Sequence, residues 1–421
     1  MKRAGEAGIA LRASIAMKGE YKVASIIDIE ILFRHNPAKS GRINKVKKIT
    51  EKQRIRDILF AISARRKTKK KKSHNRSFYG QDWQYKDKWI EDQIDQGLNV
   101  TINKGKRLTL HLPDVMNFST AYNDTIRYIT AIRKLAEDKR KPDPSYKLSF
   151  VDFSYLKTIS TSAALVLTAE LSKWDDAIRQ RLTPKINTWE PSIVRKFHDL
   201  GFFELFKKSQ GVTLGEEYAA ENETRFVKYL KGKCGDIEKT LTLKSEIMRL
   251  VGESIQKWVF LQGGLSEAIT NVSQHAYPVK YGYSEKDKNW YLTGSYDEIN
   301  KVIKIVFYDQ GIGIPKSLPA SQIWERVVSK LSVFTPFERK RDEVLLKAAV
   351  ELDRTSTKET DRGKGLQDLL EFIKQRGDGY LSIMSLKGLY KHEIKNGKIK
   401  IKSENFQMPI CGTLIIWSAS L

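Results

Sequence analysis

The sequence predicts a mixed α/β (α+β) protein with more than one domain, on three observations. The chain has 421 residues, whereas single hydrophobic cores stop growing at roughly 250 to 300 residues. Alternating strand and helix patterns follow one another from about residue 107 to 206, which indicates α/β layers. A second series of strands, glycine-containing turns and helices begins near Thr242. We therefore expect a basic N-terminal region (1–95), an α/β domain (96–210), a linker (211–241) and a C-terminal domain (242–421).

The N-terminal region carries most of the positive charge. Residues 1–80 hold 22 Lys and Arg against 6 Asp and Glu, a large share of the net charge of +25. The run RRKTKKKK, from Arg65 to Lys72, is the densest part. It fits either a solvated basic linker or a segment that neutralises the phosphates of a nucleic acid.

Composition excludes several classes of protein. No stretch approaches the ~20 apolar residues that a membrane-spanning helix needs, and the first residues lack a signal-peptide core, so we expect a cytoplasmic protein without a membrane partner. The two cysteines, Cys234 and Cys411, have neither disulfide-framework nor zinc-site spacing.

The middle part alternates predicted strands with predicted helices. RLTLHL (107–112) and KLSFVDF (147–153) alternate like strands, with a helix between them from Ser119 towards Leu135. A helix is predicted over 162–174, followed by a short strand at 185–187. The last helix, 191–200, ends at Gly201, a residue typical of helix ends.

The segment VDFSYLKTISTSAALVL resembles the STAS domain of anti-sigma-factor antagonists, in which a strand, a loop with a regulatory Ser or Thr and a helix follow one another. The usual Asp-Ser-Ser-Gly of that family is replaced here by Ser160, Thr161, Ser162 and Ala163. The resemblance implies phosphorylation of Thr161 or Ser162. The residues themselves favour a simpler role, a helix N-cap made by Ser160 or Ser162.

The first C-terminal motif is LSEAITNVSQHAY (265–277). Glu267, Asn271 and His275 recur every four residues on one helix face, beside an apolar stripe. The stripe consists of Leu261, Leu265, Ala268, Val272 and Ala276. A carboxylate can deprotonate a hydroxyl nucleophile, and an amide oxygen suits Mg²⁺. We expect His275 to be structural.

The second and fourth motifs lie at strand ends. The predicted strand at 302–308 leads directly to Asp309, and Gly311 and Gly313 follow. An aspartate there can accept a hydrogen bond from an adenine amino group, and the glycines allow the base to approach the backbone. Further along, Gly412-Thr413 opens a strand at 414–418, and the Thr413 hydroxyl can reach the base through water.

The third motif is a glycine-flanked lysine at a helix start. Gly363, Lys364, Gly365 and Leu366 follow a polar stretch and precede a helix that ends at Gly377. Free backbone N–H groups at a helix N-terminus bind phosphate. The roughly 50 residues between Gly313 and Gly363 include a helical stretch at 322–353.

These four motifs, in this order, resemble the GHKL-type ATP-binding domain of gyrases, chaperones, histidine kinases and MutL proteins. The first motif is most similar to that of the anti-sigma-factor Ser/Thr kinases. The resemblance implies a two-layer α/β sandwich that binds ATP and Mg²⁺, with Glu267 as general base, Asn271 as Mg²⁺ ligand and Asp309 as adenine reader. It also implies that the segment from Gly363 to Leu366 closes over the phosphates.

Three functions remain open from the sequence. The first is a Ser/Thr protein kinase that acts on a protein partner. The second is an ATP-gated switch or slow ATPase that engages nucleic acid or a protein through its basic region, and the third is nucleotide binding without catalysis. No histidine upstream of Thr242 has the setting of a phospho-acceptor, and Walker A and His-Arg-Asp motifs are missing. A homodimer is one of the assemblies we consider.

Overall fold

The six-stranded sheet in the C-terminal half positions most of the predicted site. The computed structural model of the chain describes residues 83–136, 145–174, 185–206, 224–233, 235–285, 287–321, 324–351 and 368–421. The basic run from Arg65 to Lys72 and the motif from Gly363 to Leu366 lie outside the described residues. Those that are described belong to one unit, which spans Asp82–Leu421.

The elements of the described residues are as follows. The α-helices are α1 Trp83–Asp95, α2 Tyr122–Ala136, α3 Thr161–Ser172, α4 Pro191–Asp199, α5 Lys239–Val251, α6 Trp258–Asn271, α7 Ile314–Ser317, α8 Trp324–Lys330, α9 Asp342–Val350 and α10 Asp368–Arg376. The strands are β1 Val100–Asn103, β2 Arg107–His111, β3 Val115–Met116, β4 Lys147–Asp152, β5 Thr158–Ile159, β6 Arg225–Phe226, β7 Leu230–Lys233, β8 Asn289–Asp297, β9 Val302–Asp309, β10 Gly379–Lys395 and β11 Lys398–Ser420.

The large sheet has the order β10-β11-β9-β8-β6, and β7 also pairs with β8. All of these pairings are antiparallel. Strands β6 and β7 come from the region expected to be a linker, so the sheet begins before Thr242. The stretch 322–353 contains the helices α8 and α9 with 3₁₀ turns between them.

Both faces of this sheet are buried, each in a different core. Phe307, Ile415 and Trp417 point to the core that contains α5, α6 and α10. Their neighbours in the strands, such as Tyr308 and Leu414, point to the core of the middle segment, where α3 packs on β8 and β9. A strand buried on both faces has a continuous apolar sequence, which explains the sequence of residues 302–308.

The middle segment is mixed α/β, as predicted. Its three-stranded sheet has the order β1-β2-β4, with β2 and β4 parallel. The short strand predicted at 185–187 is wrong: Ile186–Thr188 is a 3₁₀ turn. The turn arises because Trp189 is stacked on Phe153 at 4.1 Å between ring centroids, and because Pro191 starts the next helix.

The predicted helix ends in this segment are confirmed in part: the helix expected from Ser119 begins at Tyr122, and the helix expected over 162–174 spans Thr161–Ser172. Ser160 is the N-cap of α3, since its Oγ accepts a hydrogen bond from the N–H of Ala163 at 3.2 Å. Thr161 and Ser162 are both buried, and Thr161 Oγ1 lies 2.9 Å from Ser295 Oγ on β8. The structure therefore agrees with the interpretation of Ser160 as a helix N-cap. Gly201 follows α4 with φ of 79°.

The described helices also bear on membrane insertion. None of those in the ranges given above combines the length and the apolar character that crossing a bilayer requires.

Candidate functional site

The first motif lies at the C-terminal end of α6. This helix ends at Asn271 and continues as a π-helical turn over Val272–Ala276. Turns of this kind are rare and occur frequently at functional sites. The apolar stripe predicted from the sequence is buried throughout: Leu261, Leu265, Ala268, Val272 and Ala276. Glu267 and Asn271 are half-buried at the edge of this packed face.

Glu267 and Asn271 form a pair. Asn271 Nδ2 donates a hydrogen bond to Glu267 Oε1 at 2.8 Å. Burial raises the pKa of Glu267 above its ordinary value, and the Asn271 hydrogen bond lowers it by less, while the negative charge of Asp368 raises it further. A carboxylate with a raised pKa is a better proton acceptor at neutral pH. This geometry suits a general base whose amide neighbour keeps its oxygen for another ligand.

Asp309 ends β9 and is 5% exposed. Burial raises its pKa to about 7, against the lowering effect of hydrogen bonds from the Gly311 backbone and from Thr413. The Gly311 N–H donates to Asp309 Oδ1 at 2.8 Å. The carboxyl group is therefore fixed in direction and close to its protonation midpoint at neutral pH.

The glycines of the second motif are required by close packing. A Cβ on Gly311 would lie 2.5 Å from the carbonyl oxygen of Ala276. Gly313 has φ of 82°, and a Cβ there would lie 2.8 Å from Ser385 Oγ. Neither position has room for a side chain. The atoms that fill the space belong to the protein itself, whereas we expected from the sequence that the glycines make room for a base.

The structure joins the first motif to the second at Ala276. The N–H of Ile312 donates to the Ala276 carbonyl at 2.8 Å. Next to it, Tyr277 OH accepts from the N–H of Gln310 at 3.1 Å and donates to the carbonyl of Asn289 at 2.6 Å. The end of the Glu267 helix and the Asp309 loop are therefore one hydrogen-bonded unit.

The fourth motif lies beside the second. Thr413 on β11 is paired with Asp309 on β9 in the antiparallel register. Ser385 Oγ lies 3.1 Å from Thr413 Oγ1 and donates to the Gly412 carbonyl at 2.9 Å. The same Oγ accepts from the N–H of Ile314 at 2.9 Å. Ser385 thus ties Gly412-Thr413 to the loop that follows Asp309.

The third motif lies outside the described residues, but the helix that follows it does not. Helix α10 begins at Asp368 and packs across α6. The crossing is close at Gly264, where a Cβ would lie 3.2 Å from the Asp368 carbonyl oxygen. Asp368 is also near enough to Glu267 to raise the pKa of that residue. The first described residue after the third motif therefore lies beside the Glu267 helix.

A buried polar cluster at the same sheet end was not predicted from the sequence. Glu170 on α3 is 2% exposed and accepts hydrogen bonds from Arg133 Nε at 2.9 Å and Gln310 Nε2 at 2.6 Å. Tyr308 OH donates to Glu170 as well, at 3.3 Å. Gln310 and Tyr308 flank Asp309. The signal in the sequence was a single acid in the otherwise apolar helix TSAALVLTAELS.

The remaining candidates are His275 and a metal site. Burial lowers the pKa of the half-buried His275, so the ring is neutral at physiological pH. No three His, Cys, Asp or Glu side chains of the described residues are grouped so that they could hold a metal ion. A magnesium ion would then depend on Asn271 Oδ1, water and the ligand's own oxygens, which is how Mg²⁺ is commonly bound with phosphates.

No protein-family model matches the chain, and no curated protein matches it either.

Proposed function

We propose that this protein is a cytoplasmic regulator that binds ATP with Mg²⁺ and transfers the γ-phosphoryl group to a hydroxyl group of a protein. The observation that carries the proposal is the junction at Ala276. Its carbonyl accepts a hydrogen bond from the N–H of Ile312, which connects the end of the helix that carries Glu267 and Asn271 to the Asp309 loop and so supports a shared site. A base, an oxygen ligand and an adenine-reading carboxyl are the groups that such a reaction needs.

The proposed roles follow from the contacts. Asp309 accepts a hydrogen bond from the adenine amino group. Hydrogen bonds from Gly311 and Thr413 fix the orientation of its carboxyl group. Glu267 accepts the proton of the attacking hydroxyl; that hydroxyl oxygen bonds to the γ-phosphorus, and ADP leaves with the electrons of the broken bond. Asn271 holds Mg²⁺, which neutralises phosphate charge.

The backbone N–H groups from Gly363 to Leu366, together with Lys364, contact the phosphates in this proposal. This role rests on the sequence pattern and on the position of Asp368, which follows the motif and lies beside α6.

The test is incubation of the full chain with γ-labelled ATP, Mg²⁺ and the products of neighbouring genes, scoring labelled protein and free phosphate separately. We expect labelled protein, and we expect Glu267→Gln to reduce labelling by about 10²- to 10⁴-fold while calorimetry still registers MgADP binding. Glu298→Gln, at an exposed glutamate in the turn after β8, is the matched control and keeps full activity.

Each alternative outcome has a defined meaning. Free phosphate without labelled protein favours the ATP-gated switch over the kinase. Unchanged turnover in Glu267→Gln contradicts the base assignment. Absence of heat when MgADP or MgATP is added to the wild-type chain rejects nucleotide binding altogether.

A further inference from the structure

The hairpin formed by β10 and β11 extends beyond the sheet as a two-stranded ribbon. The register is regular from Leu389↔Glu404 to Lys395↔Lys398. The turn is Asn396-Gly397 with φ of 51° and 72°, the left-handed pair that a two-residue hairpin turn requires. An irregularity in register between Leu386 and Gly388 separates this part from the main sheet. We call residues 389–395 and 398–404 the basic ribbon.

The two faces of the basic ribbon differ in chemistry. The inner face carries Tyr390 and Ile394, which are buried, and Ile399 and Ile401, which are exposed. Ser403 Oγ on this face donates to the carbonyl of Glu343 on α9 at 3.2 Å. The outer face comprises four cross-strand pairs. These are Leu389↔Glu404 at the base of the ribbon, where Leu389 is buried, then Lys391↔Lys402, Glu393↔Lys400 and Lys395↔Lys398. With five lysines and two glutamates among these pairs, the outer face has a net charge of +3.

Two of these pairs place lysine directly opposite lysine. Like charges directly opposite one another destabilise an antiparallel pair, so the isolated fold gains nothing from Lys391↔Lys402 or Lys395↔Lys398. Each glutamate forms an ion pair with a lysine of its own strand. Lys391 Nζ lies 3.0 Å from Glu393 Oε1, and Lys402 Nζ lies 2.5 Å from Glu404 Oε2. Lys395, Lys398 and Lys400 are exposed, and although Lys400 lies opposite Glu393, none of the three forms an ion pair in the part of the chain that the structure describes.

Protection of an exposed ribbon from aggregation does not account for this arrangement. Charges of either sign protect a strand edge, and alternating lysine with glutamate would also gain cross-strand ion pairs. The observed pattern instead concentrates one sign on one face. Lysines two residues apart in a strand are about 6.7 Å apart, so the outer face presents a row of cations on a straight, narrow support.

We propose that the outer face of the basic ribbon binds the phosphate backbone of a nucleic acid duplex. A two-stranded ribbon fits the major groove of B-DNA, and phosphates relieve the repulsion between the opposed lysines. The interaction involves backbone charge, and base-specific recognition forms no part of it. This inference is independent of the proposed phosphoryl transfer, because no residue of the ribbon belongs to the Ala276 junction.

The test is fluorescence anisotropy of the full chain with a labelled duplex of about 20 base pairs across a series of salt concentrations. Each phosphate that the protein no longer neutralises lowers the slope of log K against log salt by about 0.9. Lys395→Gln/Lys398→Gln/Lys400→Gln should therefore lower the slope by about 2.7 and weaken binding by about 500-fold near 0.1 M salt. The N-terminal basic region is the same in every variant, so the difference isolates the ribbon.

The control variant is Lys104→Gln/Lys257→Gln/Lys301→Gln, which removes the same charge at exposed positions outside the ribbon. We expect it to keep the wild-type slope, and circular dichroism should give the same melting curve for both triple variants. Equal slopes in the ribbon variant and the wild type overturn the inference, as do equal reductions in the two triple variants. Stronger ribbon-dependent binding to vesicles with anionic lipid than to the duplex also overturns it, in favour of a membrane surface.

Discussion

Glu170 and Glu267 lie on helices that pack against opposite faces of the same sheet, yet their environments differ in kind. Glu170 is fully enclosed and is paired with the Arg133 guanidinium. Burial by itself would raise its pKa, but the Arg133 charge and hydrogen bonds more than compensate, and the pKa lies below its usual value. Glu267 is half-buried, with a hydrogen bond from the Asn271 amide and the negative charge of Asp368 nearby, and its pKa lies above the usual value.

The difference separates a carboxylate that serves the fold from one that is available to a ligand. All the partners of Glu170 described above are supplied by the protein, and they hold the residues on either side of Asp309 in place. The raised pKa of Glu267 means that the fold stabilises its ionised form poorly. A ligand that brings a hydroxyl group or a cation would complete its environment.

The largest expected effect is on stability, and it tests the contrast directly. Glu170→Gln should lower the free energy of unfolding by about 3–5 kcal/mol, since it leaves the Arg133 charge buried without its partner. Glu267→Gln should lower it by no more than about 0.5 kcal/mol, because its ionised form is disfavoured in the folded state. Urea unfolding measures both.

A double variant serves as control for that comparison. Arg133→Met/Glu170→Met removes both charges and should recover most of the stability that Glu170→Gln removes. Equal destabilisation by Glu170→Gln and Glu267→Gln would end the distinction between the two sites.

The second expected effect is an opposite dependence on pH. Glu170 has a lowered folded-state pKa, so its contribution to stability is present above the unfolded pKa and is lost as pH falls through the folded pKa. Glu267 has a raised folded-state pKa, so its contribution is present below the unfolded pKa and is lost as pH rises through the folded pKa. Unfolding of each Gln variant between about pH 2 and pH 8, compared with wild type, gives the two signs, since the Glu170 effect appears at the acid end and the Glu267 effect above it. The same sign for both would contradict the assigned environments.

Asp309 is deeply buried, like Glu170, but has a raised pKa, like Glu267. The expected effect of its titration is on nucleotide affinity. Burial raises its pKa to about 7, so the carboxyl group titrates within the physiological pH range. If the ionised form binds adenine, ATP binding should be about tenfold weaker at pH 6 than at pH 8, by the linkage of one proton. Calorimetry measures this, and Asp309→Asn should show no such dependence. A flat profile in the wild type would remove the carboxylate from adenine recognition.

The smallest expected effect concerns the helix that carries Glu170. Ser160→Ala removes the N-cap of α3 and should cost about 1 kcal/mol, measured by urea unfolding. Ser162→Ala, at a hydroxyl that does not cap the helix, is the comparison; an equal cost for both would show that Ser160 acts through something other than capping.

The local elements could be predicted because their signals lie within a few residues. The apolar stripe of α6, the strand that ends at Asp309 and the stop at Gly201 each depend on periodicity or on one backbone conformation. The same holds for the N-cap of α3, where a hydroxyl three residues before Ala163 was sufficient. These predictions agree with the structure.

Interactions between distant segments could not be predicted, because no periodicity encodes them. The Ala276 junction joins a helix end to a loop 36 residues later. The cluster at Glu170 connects residues from the middle segment with Gln310, 140 positions away. The wrong strand at 185–187 has the same origin, since the packing of Trp189 decides the conformation of that turn. The lysines at 398, 400 and 402 alternate with isoleucines in the sequence, but only the strand register shows that Lys398 and Lys402 lie opposite other lysines.

The large sheet has a practical consequence for dissecting the molecule. Because Tyr308, Met384, Leu414 and Ile416 are covered by the middle segment, a fragment that starts at residue 242 would expose a contiguous apolar surface to water. Such surfaces promote self-association. Cutting the gene at that point should yield an insoluble product, whereas a fragment that begins near residue 83 keeps that surface covered.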